Sequence, residues 1–106
     1  MLSIYLLMIN VNTYYEVKRG HESEFESTFT KMLLYLKRNV KGFKDAKLYK
    51  EVAAPLQYMV YSEWRDLRSV RTFGSSDYFR SNTHRGKSIL KSKPSRGMFK
   101  EISKKK

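Results

Sequence analysis

The stretch SSDYFRSNTHRG, residues 75 to 86, concentrates side chains able to do chemistry. His84 is one of only two histidines in the chain. Arg80 and Arg85 stand on either side of it, and the aromatic pair Tyr78 and Phe79 precedes it. Imidazole is a common axial ligand of haem iron, and arginines beside it suit the propionates of a porphyrin. The same residues equally describe the solvated face of a basic helix. His21, the other histidine, stands at a turn before a helix start, where a capping or surface role is the simpler reading. Asn10 and Asn12 interrupt an apolar stretch, and polar groups there need partners, either a neighbouring side chain or a ligand oxygen. Trp64 closes an aromatic-rich segment and reads first as core. The chain has no cysteine, so neither a disulfide framework nor a thiolate metal site is available. It also shows no nucleophile–base pattern, no phosphate-cradling glycine loop and no metal-ligand spacing.

These side chains need elements to hold them. From Ser3 to Val17 the odd positions are Tyr5, Leu7, Ile9, Val11, Thr13, Tyr15 and Val17, the period-2 pattern of a strand. Its length suggests a bulge near Asn10 or Asn12. Gly20 turns the chain. In ESEFESTFTKMLLYLKRN, Phe25, Phe29, Met32, Leu33 and Leu36 recur three and four apart, which is one face of an amphipathic helix. Glutamates open that helix and Lys37 and Arg38 close it, as its dipole favours. FKDAKLYKEV and QYMVYSEW read as strands around an AAPLQ turn. Asp66 caps a short helix, LRSVRTF; Gly74 and two serines interrupt, and DYFRSNTHR resumes as helix. GKSILKSKPSRG reads as a polar connection and MFKEIS as a last short strand. The order is β-α-β-β-α-β, a ferredoxin-like α+β arrangement in one domain over residues 1–103, with 104–106 a basic tail.

The composition, 41% apolar and 14% aromatic, is that of a folded chain. The opening run MLSIYLLMI lacks the basic start and small-residue cleavage site of a signal peptide and is too short to span a membrane. It is read as a buried strand, and the protein is expected in the cytoplasm. Net charge is +12, unevenly placed: residues 1–79 carry 12 basic and 9 acidic side chains, residues 80–106 carry 10 basic and 1 acidic. The positive field therefore belongs to the C-terminal quarter and favours anionic partners.

Taken in order, Val17 with Gly20, Glu24 with Phe25, Gly42 with Phe43, Glu63 with Trp64 and the SSDYF segment resemble the antibiotic biosynthesis monooxygenase (ABM) superfamily. The resemblance covers about Val11 to Phe79. It implies a dimer whose two sheets face each other in an α+β barrel, with a ligand pocket between sheet and helices. It also implies one of two chemistries: cofactor-free oxidation of an aromatic or quinol-type compound, or haem binding and degradation. An even set of first-strand residues, Leu2, Ile4, Leu6 and Met8, is apolar as well, and a second sheet would cover it.

Carried over residue by residue, the haem-degrading members' strand asparagine falls on Thr13, with Asn12 one place before it. Their helix tryptophan falls on Phe73. Their ligating histidine falls on Thr83, with His84 one place beyond. The pocket candidates are accordingly Asn12, Thr13, Trp64 and Phe73, and His84, Arg80 and Arg85 hold the cofactor if haem binds. Three functions stand open: an ABM-type oxygenase, a non-catalytic haem or small-ligand binding module, and nucleic-acid binding through the basic quarter. The sheet lacks the glycine-aromatic signature of an RNA-binding sheet, which ranks the last lowest.

Overall fold

The computed structural model describes residues 8–103. In chain order they form β1 (Ile9–Glu16), α1 (Glu22–Asn39), β2 (Phe43–Lys50), β3 (Gln57–Trp64), α2 (Leu67–Gly74), α3 (Asp77–Gly86), a 3-10 turn (Lys87–Ile89) and β4 (Ser95–Phe99). The four strands make one antiparallel sheet in the order β2-β3-β1-β4. This is the ferredoxin-like α+β plan, with the second helix broken in two. Ser76 makes the break stable at both ends. Its hydroxyl donates to the Phe73 carbonyl at 2.7 Å and accepts from the Phe79 amide at 3.1 Å.

The register divides the sheet into two faces. Ile9 pairs with Trp64, Val11 with Ser62, Thr13 with Val60 and Tyr15 with Tyr58, and these side chains point toward the helices. Asn10, Asn12, Tyr14 and Glu16 point the other way. The odd set of the first strand is therefore the core set, as its apolar pattern requires. β1 is unbroken against β3, so the bulge expected near Asn10 or Asn12 is not there. The irregularity lies in β2, between Phe43 and Asp45.

Under the helices two buried clusters lie side by side. One holds Val11, Leu36, Trp64 and Phe73, and the other Val17, Phe25, Tyr58 and Ile89. Each such side chain contributes about 1.5–3 kcal/mol on burial. Ile89 corrects the reading of residues 86–97 as a merely polar connection. It is buried, Lys18 donates its amide to the Ile89 carbonyl at 2.8 Å, and Leu90 bridges to Val17. β4 also starts earlier than expected, at Ser95, and ends at Phe99. Leu2, Ile4 and Leu6, on which part of the dimer expectation rests, and the 104–106 tail lie outside the described residues.

Candidate functional site

Trp64 and Phe73 are brought together. Trp64 ends β3 facing the helices, and Phe73 lies in the last turn of α2. Their ring centroids are 5.6 Å apart, and Phe43 meets the indole edge-on at 5.2 Å. The indole cannot be buried without a partner for its N–H. Ser62, two residues back on the same face, supplies one: Trp64 Nε1 donates to Ser62 Oγ at 2.9 Å, and that hydroxyl donates to the Val11 carbonyl at 3.1 Å.

Above Phe73 the structure opens. A cleft of about 410 Å³ lies where the C-terminal end of α1 meets α2, within the usual range of small-molecule sites. Its apolar wall is Tyr35, Val40 and Phe73, and its rim carries Lys41, Arg65 and Arg68. Tyr35 is held flat: its ring stacks on Tyr78 of α3 with centroids 3.5 Å apart and planes 6° from parallel. Burial, and then the neighbouring Tyr35, push the Tyr78 hydroxyl above the ordinary tyrosine range, so it stays neutral near pH 7.

Gly42 explains why the two walls come so close. Its φ of +91° lies where a side chain is strained, and a Cβ there would run into the Ser69 hydroxyl. Its carbonyl accepts from the Arg65 amide at 2.6 Å. Asp66 then caps α2, accepting from the Ser69 amide at 2.9 Å and the Ser69 hydroxyl at 2.8 Å. Those bonds, the backbone one first, hold its carboxyl below the usual carboxylate range.

The remaining expected residues sit elsewhere. Thr13 shares the helix-facing side with Trp64, further along β1. Asn12 lies on the opposite face of the sheet, away from the cleft, because strand neighbours point to opposite sides. There its Oδ1 is buried without a hydrogen-bond partner among the described residues. Asn10, on the same face, donates to the Tyr61 hydroxyl at 3.0 Å, and Tyr61 donates to Glu63 at 2.9 Å. His84, Arg80 and Arg85 line a separate, open groove with Asp77 and Ser81. The five residues that line it are all polar or charged, with no aromatic or aliphatic side chain among them. Arg80 is paired with Asp77 at 3.2 Å. His21 meets Glu24 at 3.1 Å in the first turn of α1. The cleft's rim was not singled out in the sequence. Its only signals were Lys41 beside the turn glycine Gly42, and Arg65 and Arg68 straight after Trp64.

The fold that sets this geometry is shared with known proteins. The family model for antibiotic biosynthesis monooxygenase matches residues 8–83. The chain belongs to the antibiotic biosynthesis monooxygenase family. Among solved structures, this ABM chain resembles a candidate antibiotic biosynthesis monooxygenase from Caulobacter crescentus, with a TM-score of 0.83 and 20% identity over 92% of each chain. It resembles a conserved protein from Methanosarcina mazei with a TM-score of 0.80 and 22% identity, over 95% of this chain and 99% of that one. SnoaB, a cofactor-independent oxygenase from Streptomyces nogalater, aligns with a TM-score of 0.80 and 19% identity, over 92% of this chain and 96% of SnoaB. At these identities the likeness is one of fold. No curated protein matches the chain. Among the described residues no cluster of acids and histidines is placed to hold a metal ion, and no helix is long and apolar enough to cross a membrane.

Proposed function

We propose that this ABM-family chain is a cofactor-independent oxygenase acting on a small aromatic or quinol-type compound bound in the cleft above Phe73. The observation that carries this reading is the cleft itself, a small-molecule-sized space with a flat tyrosine and a phenylalanine on one wall. Family membership and the fold shared with SnoaB support it. In such a reaction the substrate supplies the electrons. A ring CH2, which a hydroquinone presents as its keto tautomer, and O2 yield a ring carbonyl and water, and the protein's part is to bind, orient and shield. Phe73 and Tyr35 hold the ring plane, and Trp64 with Ser62 fixes Phe73 from beneath. Thr13 stands further along the same face, and Asn12 serves the opposite face.

A second copy of the chain is the proposed partner, and the protein is proposed to work in the cytoplasm. Among the described residues no helix lies over the sheet face bearing Asn12, and that face exposes Tyr14, Tyr49 and Phe99. A second sheet would cover these rings.

Oxygen uptake with a naphthohydroquinone, measured against its spontaneous oxidation, tests the function. Uptake above that background, proportional to protein, is expected; a rate equal to background contradicts it. Haemin titration in the presence of ascorbate separates the alternatives. No Soret band is expected, a stable band indicates a haem-binding module, and a decaying one a haem-degrading enzyme. If a band forms, its loss in His84→Ala assigns His84 as ligand.

A further inference from the structure

The cleft has a charge preference built into its rim. Three cationic side chains, Lys41, Arg65 and Arg68, line it, and among the described residues no acidic one does. Arg65 is already answered, since its Nε lies 3.4 Å from Asp66 Oδ2. The other Asp66 oxygen is committed to Ser69. Among the described residues, neither Lys41 nor Arg68 takes part in an ion pair. The two unanswered cations line the same opening from different segments, Lys41 from the turn after α1 and Arg68 from the first turn of α2. Tyr35 and Phe73 line that opening with them.

We infer that the cleft selects an aromatic acid, its ring against Tyr35 and Phe73 and its carboxylate between Lys41 and Arg68. The inference rests on the cleft being the ligand site and adds the chemical class that the site prefers. Arg68 presents a planar fork matched to a carboxylate, and Lys41 adds a point charge on a flexible stem. Both are exposed, so solvent screens them, and the preference over a neutral ligand of the same shape is about tenfold.

The test is isothermal titration of the full chain with naphthoate and with naphthylmethanol, its neutral counterpart. Naphthoate is expected to bind about tenfold more tightly at low salt, with the gap closing as salt rises. The double variant Lys41→Gln with Arg68→Gln is expected to lose the gap while holding naphthylmethanol as before. Lys18→Gln with Lys93→Gln removes the same charge at the opposite end of the sheet, beyond Glu16 of β1 and before Ser95 of β4, and is expected to keep it. Thr72→Trp, which fills the opening from its exposed wall, is expected to abolish both titrations. Equal binding of the two ligands overturns the acid preference and leaves the aromatic cleft standing. A gap retained by the rim variant, or lost equally in the distant one, overturns the assignment to Lys41 and Arg68. No binding of either ligand overturns the inference together with the cleft as ligand site.

Discussion

Trp64 donates its indole N–H to the hydroxyl of Ser62 at 2.9 Å, and through that hydroxyl it is tied to the backbone of the central strand β1. The bond settles the strand-end tryptophan's first role. It is buried and polar-satisfied, and its face supports Phe73. Ser62→Ala strips the indole and the Val11 carbonyl of their shared partner. The cost is expected at about 1–3 kcal/mol in urea unfolding, with Trp64 fluorescence as the reporter. Trp64→Ala opens a cavity and is expected to cost about 3–5 kcal/mol. A Ser62→Ala variant as stable as the parent would show that the bond contributes nothing.

Gly42→Ala is expected to destabilise the chain more than an ordinary surface change. The new Cβ needs a strained φ and the space of the Ser69 hydroxyl at once. Pairing it with Ser69→Gly should recover part of the loss by removing the steric conflict, and leave the part due to φ. Gly20→Ala is the comparison, because its φ of +92° is as strained but nothing lies within 4 Å of the added carbon. Equal melting temperatures for the two alanine variants would contradict the close approach.

The second cluster is tied to α1 by an ionisable pair. Tyr58 donates to Glu26 at 2.6 Å, and Lys50 lies 3.2 Å from the same carboxylate. The tyrosine bond, and then Lys50, hold the Glu26 carboxyl below its ordinary range. Burial, and then Glu26, raise the Tyr58 hydroxyl. For the depressed carboxyl, stability is present above its unfolded value of about 4.3 and is lost as pH falls through the lower folded one. For the raised phenol, stability is present below its unfolded value of about 10 and is lost as pH rises through the higher folded one. Tyr58→Phe is therefore expected to flatten the stability profile at both ends, and an unchanged profile in pH-dependent denaturation would contradict the coupling.

The uncovered sheet face gives a prediction about assembly. Light scattering at micromolar concentration is expected to return twice the mass of the chain. Phe99→Lys, on an exposed ring over Gly97, is expected to move it toward the single-chain mass without unfolding. A wild-type monomer at that concentration would contradict the covered face.

Much of the fold was legible because single residues carried unambiguous periods. The three-and-four spacing from Phe25 to Leu36 marked α1 to the residue, QYMVYSEW marked β3, and Asp66 announced the start of α2. Ile89 and Leu90 were missed because two apolar residues in a polar run set no period. β4 was placed late because Arg96 and Gly97 lack strand-forming side chains and the strand lies at the sheet edge. The candidate site was less legible. Trp64 and Phe73 were singled out in the sequence and do meet, but the rim of the cleft comes from two segments that only folding brings together. Asn12 and Thr13 stood as alternatives one residue apart, and the register put them on opposite faces.

The most direct test of the cleft as the seat of an oxygenase is oxygen uptake by Thr72→Trp beside the parent chain, both with a naphthohydroquinone. Thr72 is exposed and lines the cleft without entering either buried cluster, so its replacement blocks the opening and spares the core. Uptake above spontaneous oxidation is expected from the parent and loss of at least about tenfold from a variant with an unchanged melting temperature. Full activity in a folded Thr72→Trp would place the chemistry elsewhere and contradict the account.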